Sequence, residues 1–128
     1  MSSLNTPEPA PIPDAGQPVW PLVIAMIADD TRDEGTPSEW SQIAKLVAVD
    51  GAERDQQGIA KYGTPLCVGD GRNPLVDAYQ EALDLMAYLK KAQLEATCEA
   101  GELLGLGADN ALDLAVFLRG MLLKGGAL

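Results

Sequence analysis

An all-α fold is the class this sequence predicts, and three observations predict it. The stretch Pro74 to Cys98 carries apolar side chains at helical spacing along most of its length. Two segments open with residues that start helices, Thr36-Pro37-Ser38-Glu39 and Asn73-Pro74. The one short apolar run that could be a buried strand, Leu22 to Ala28, has no partner strand elsewhere. Together they predict a compact bundle of about four helices.

The elements follow in order. Residues 1–18 hold five prolines (Pro7, Pro9, Pro11, Pro13 and Pro18) and no hydrophobic period, which reads as a flexible Pro-rich arm outside the core, either solvated or a docking peptide. Residues 19–128 then form a single helical domain, since 128 residues support one core. Pro21 suits the first turn of a short helix through Leu22, Val23, Ile24, Met26 and Ile27. The acidic run Asp29, Asp30, Asp33 and Glu34 reads as a solvated turn. Thr36-Pro37-Ser38-Glu39 is a capping box opening a second helix with Trp40, Ile43 and Val47 at helical spacing. That helix runs to about Lys61, weakened at Gly51 and Gly58 and stopped by Gly63 and Pro65.

Residues 63–73 form a loop broken by Gly63, Pro65, Gly69 and Gly71. Asn73 caps a third helix, Pro74 takes its first position, and it extends to about Cys98. Its apolar face is Leu75, Tyr79, Ala82, Leu83, Met86 and Leu89, with Asp77, Glu81, Asp84 and Tyr88 opposite. A last helix is expected from near Asp109 or Asn110 to about Lys124. Ala111-Leu112-Asp113-Leu114 echoes Ala82-Leu83-Asp84-Leu85, through duplication or convergent use of good helix formers. This helix is apolar almost all round, which predicts burial in the core or in a homo-oligomer interface.

Composition narrows the chemistry. The net charge is −10, from 19 acidic and 9 basic residues, so no cationic footprint for duplex nucleic acid or an anionic membrane is present. There is no His, which removes imidazole-ligated zinc and the Ser–His and Cys–His nucleophile systems. Two cysteines, Cys67 and Cys98, are too few for a disulfide framework. No signal peptide is visible and Leu22 to Ala28 is far short of a membrane span, so a cytoplasmic protein is expected, in a host cytoplasm if phage-encoded.

The chemistry-bearing residues cluster around the loop. Asp50 and Glu53 stand three apart on the second helix, and Glu81 and Asp84 three apart on the third, so each pair shares a helix face and can grip one cation. Should the two helices pack antiparallel, the four carboxylates would make an oxygen cage suited to Mg²⁺ or Mn²⁺. Lys61 and Arg72 could neutralise phosphates, while Tyr62 and Tyr88 could stack on a base. Each has a plainer reading: surface charge for the carboxylates, the second helix's C-terminus for Lys61, Asp70 or Asp77 for Arg72, and an oligomer contact for Tyr88.

The two acidic pairs resemble the all-α nucleotide pyrophosphohydrolases of the MazG and dimeric dUTPase superfamily, which carry an E-x-x-E pair and, a helix later, an E-x-x-D pair. Asp50-Gly-Ala-Glu53 would fill the first motif and Glu81-Ala-Leu-Asp84 the second. The resemblance implies Mg²⁺ ligands at Glu53, Glu81 and Asp84, with nucleotide as substrate. The first motif departs from the family in its opening Asp50, in Gly51, and in Arg54-Asp55 where more Glu is usual. Residues 54–89 also resemble small phage and actinobacterial proteins with a KYGTPL…GR…DAYQEALDL…YL pattern, which brings no established activity. The leading expectation is Mg²⁺-dependent hydrolysis of a nucleoside triphosphate to monophosphate and pyrophosphate. The alternatives are a phage protein that sequesters a nucleotide signal and an adaptor.

Overall fold

The computed structural model describes residues 4–28 and 38–125. Among them the chain is all-helical, with four α-helices and no β-pairing beyond one isolated bridge between Pro18 and Cys67. No helix among the described residues is long and apolar enough to cross a membrane. The helices fall into two compact units, Pro9–Arg72 and Met1–Glu8 with Asn73–Leu128.

The unit Pro9–Arg72 holds α1 (Trp20–Ala28) and α2 (Glu39–Tyr62), which pack on each other. Thr36 and the acidic run Asp29, Asp30, Asp33 and Glu34 lie outside the described residues. A capping box is nonetheless present, built by Ser38 and Ser41. The Ser41 N–H donates to Ser38 Oγ at 3.3 Å, and the Ser38 N–H donates to Ser41 Oγ at 3.0 Å. At the other end Gly63 takes the left-handed conformation at φ 73°, and its N–H closes the helix on the Ile59 carbonyl at 2.8 Å.

Gly51 is the buried residue of α2, and the reason is α1. A methyl group there would lie 3.1 Å from Trp20 Cζ3, so the missing side chain is the seat of the indole ring. Gly58 serves no such purpose, since nothing lies within 4 Å of the place its Cβ would take. Gly58→Ala is therefore expected to stabilise the protein by up to about 1 kcal/mol, read as a higher urea midpoint.

Residues 9–19, which take in the latter part of the segment 1–18 expected as a Pro-rich arm, hold backbone contacts with the loop after α2. The Ile12 N–H donates to the Asp70 carbonyl (2.8 Å), the Val68 N–H to the Gln17 carbonyl (2.9 Å) and the Val19 N–H to the Leu66 carbonyl (2.8 Å). This antiparallel clasp buries Thr64, Cys67 and Asp70. Prolines are tolerated in such a segment because the donors come from the residues between them. Gly16 runs directly against the Val68 carbonyl, with no room for a Cβ.

The second unit holds α3 (Pro74–Glu95) and α4 (Cys98–Leu123), packed together around Ala82, Ala115 and Leu118, with Leu75 and Tyr79 against them. Asn73 caps α3 as its sequence predicts. Its Oδ1 accepts from the N–H groups of Leu75 (3.0 Å) and Val76 (3.3 Å). Asn73→Ala is expected to cost about 1 kcal/mol, seen as a lower thermal midpoint with the helix content otherwise retained. Residues 4–8 belong to this unit. Gln80 Nε2 donates to the carbonyls of Leu4 (2.6 Å) and Thr6 (3.1 Å), and the Asn73 N–H donates to Glu8 Oε2 at 3.3 Å. A carboxylate at a helix N-terminus is also favoured by the helix dipole.

Two helix boundaries differ from those expected. α3 stops at Glu95, where Ala96 turns extended, and α4 begins at Cys98, well before Asp109. The glycines over 101–107 lie within α4, where it runs beside α3. A Cβ at Gly101 would meet the Gln93 carbonyl oxygen at 3.5 Å, one at Gly105 would meet Gln93 Nε2 at 2.8 Å, and one at Gly107 would meet Leu89 Cδ1 at 3.6 Å.

Candidate functional site

Glu81 and Asp84 sit on the outer side of α3, both exposed, with Tyr88 exposed one turn beyond Asp84. Their outward placement follows from the packing of Leu75, Tyr79 and Ala82 towards α4. Among the described residues no hydrogen bond or ion pair engages either carboxylate. Asp77, on the same side of the sequence pattern, is half-buried.

Asp50 and Glu53 are likewise exposed on α2, and no hydrogen bond or ion pair engages them among the described residues. Their neighbour Arg54 turns to Gln57, donating from Nη1 to Oε1 at 3.3 Å. Each acidic pair therefore has the predicted spacing on one helix, and the two pairs belong to different units. Within either unit, no group of three or more acidic or Cys side chains among the described residues is arranged to hold a metal.

Lys61 and Tyr62 are exposed in the last turn of α2, with Lys61 Nζ 5.1 Å from the Tyr62 ring centroid. That is a cation–π distance, and both groups remain open to solvent. Arg72 is more firmly placed. Its Nη1 donates to the Pro9 carbonyl at 2.8 Å, and its backbone N–H donates to Asp70 Oδ1 at 3.1 Å. The Gly69-Asp70-Gly71-Arg72 turn thus spends both contacts on holding its own unit, and two positive φ angles, 75° at Gly69 and 86° at Gly71, shape it.

The interior of this loop holds polar side chains that the sequence pattern does not single out. The Asp14 N–H donates to Thr64 Oγ1 (2.9 Å), Thr64 Oγ1 and Cys67 Sγ both donate to the Pro65 carbonyl (3.3 Å each), and Asp70 Oδ2 is buried without a hydrogen-bond partner among the described residues. Polar side chains spaced between glycines and prolines were the available signal, because such residues satisfy backbone groups that a loop leaves open.

No family model, curated protein or solved structure matches this chain. What the fold and the exposed residues define is an all-helical protein presenting two carboxylate pairs and a cationic–aromatic pair.

Proposed function

We propose that this chain is a Mg²⁺- or Mn²⁺-dependent nucleoside triphosphate pyrophosphohydrolase of the cytoplasm, releasing monophosphate and pyrophosphate. The observation that supports it best is the exposed trio Glu81, Asp84 and Tyr88 on α3, with both carboxylates unengaged among the described residues. Magnesium is commonly held by one or two carboxylates together with waters and substrate phosphates, so the donor set on α3 fits it. The chemistry such an ion supplies is neutralisation of phosphate charge and acidification of a water. Glu81 and Asp84 would hold it. A carboxylate would accept the proton of the attacking water, since the chain has no His. Tyr88, exposed one turn beyond Asp84 on the same helix, would stack on the base.

A second reading is a nucleotide binder without hydrolysis. It is favoured by the exposed Lys61 and Tyr62 at the end of α2, which offer a cation and an aromatic face to a nucleotide and need no metal. Pyrophosphate release from a panel of ribo- and deoxyribonucleoside triphosphates, with Mg²⁺ and with Mn²⁺, separates the two. Metal-dependent turnover supports the enzyme. Saturable nucleotide binding by folded protein without turnover supports the binder and overturns the enzyme.

A further inference from the structure

The outward side of α4 carries a second apolar stripe that α3 does not use. At 100° per residue, Leu103, Leu106, Asn110, Leu114, Phe117 and Met121 share one face, roughly a third of a turn round the helix from the buried Ala111, Ala115 and Leu118. Four of them are large apolar side chains left exposed, Leu103 at 69%, Leu106 at 62%, Leu114 at 45% and Phe117 at 62%. Steps of three and four residues keep such side chains on one face, as a helix–helix contact requires. Asn110 stands in the middle of it, exposed, with no side-chain hydrogen bond among the described residues.

From Leu103 to Phe117 the stripe is symmetric about that asparagine, and beyond it Met121 falls opposite Glu99. Leu106 and Leu114 lie four residues to either side of Asn110, and Leu103 and Phe117 lie seven to either side. We propose that α4 pairs antiparallel with the α4 of a second copy of this chain, about a two-fold axis passing beside Asn110. In that register Leu106 of each copy meets Leu114 of the other, Leu103 meets Phe117, and the two Asn110 amides meet each other. A two-fold contact requires one patch to be its own complement when reversed, and this stripe has that property.

Two further features select a second copy as the occupant. A carboxamide donates and accepts, so two Asn110 side chains satisfy each other, whereas an apolar partner surface would bury them unpaired. A single polar residue in an apolar seam also fixes register, because any slip buries it against a leucine. The charges agree. Glu99 stands at the start of α4 and Lys124 just past its end. The antiparallel register brings each Glu99 to within about a turn of the other copy's Lys124, whereas a parallel pair would set Glu99 against Glu99. The pairing uses the face of α4 turned away from α3, so it stands whether or not the chain hydrolyses nucleotides.

Sedimentation of the full chain at micromolar concentration, together with disulfide trapping, tests this. The native chain is expected to sediment as a dimer. The double variant Leu106→Glu with Leu114→Glu is expected to sediment as a monomer with its far-ultraviolet helix signal kept. In a Cys98→Ser background, Asn110→Cys is expected to cross-link to itself under oxidised glutathione, while Leu103→Cys alone does not and a mixture of Leu103→Cys with Phe117→Cys does. A monomeric native chain overturns the proposal and leaves the stripe to some other partner. A dimer that survives the double glutamate change overturns the assigned face. Self-cross-linking of Leu103→Cys as readily as Asn110→Cys overturns the antiparallel register.

Discussion

Changing Glu81 to Gln and Asp84 to Asn together is expected to lower metal-dependent pyrophosphate release by at least about 100-fold, the scale on which a removed acid–base or charge-stabilising group acts. Both side chains are exposed, and no hydrogen bond or ion pair engages them among the described residues. The change therefore removes charge without emptying a core site or orphaning a buried partner, and the melting temperature is expected to stay within a few degrees of the native value. Loss of turnover with stability retained assigns the pair to chemistry. Glu53→Gln, assayed beside it, reports on the pair carried by α2: an equal loss supports one shared site, and unchanged turnover confines the chemistry to α3. Turnover unchanged in the double variant of α3 would remove that pair from the reaction and sink the proposed mechanism.

Gly16→Ala is expected to destabilise the protein by about 2 kcal/mol or more, the upper part of the range for overpacking, read from the urea midpoint. The new methyl group meets the Val68 carbonyl, and that carbonyl is part of the clasp in which the neighbouring Val68 N–H donates to Gln17. Relief would require the backbone to move and the clasp to loosen. Gly105→Ala makes the useful contrast. Its methyl group lies 2.8 Å from the end of the Gln93 side chain, which can swing aside, and the helix gains by losing a glycine. A close contact is costly only when the neighbour cannot yield, so equal effects from the two substitutions would contradict the clasp.

Local signals were legible where local chemistry decides the structure. Asn73-Pro74 named the start of α3, Gly63 named the end of α2, and the face made by Leu75, Tyr79 and Ala82 is the one that α4 covers. The start of α4 was hidden because Gly101, Gly105 and Gly107 carry a low helix propensity, and the packing of this stretch against Gln93 and Leu89 of α3 is not encoded in propensity. Gly51 was opaque for the same reason, its partner Trp20 lying in another helix. The engagement of residues 9–18 depends on backbone pairing with a distant loop, which composition does not encode. Of the site, the spacing of each acidic pair could be read from the chain, since helical periodicity fixes it. Whether two pairs share a site depends on tertiary arrangement, which spacing within a helix does not determine.

The chain order of the two units carries a consequence of its own. The chain begins in the unit of α3 and α4, leaves it after Glu8, completes the whole of Pro9–Arg72, and returns at Asn73. Each side of that junction is tied within its own unit, Arg72 to the Pro9 carbonyl and Asn73 to the Glu8 carboxylate. The unit of α1 and α2 is therefore a cassette whose entry and exit are neighbours. Such a segment can be gained, lost or exchanged in one event, because a short splice between Glu8 and Asn73 returns the residues before it to the start of α3.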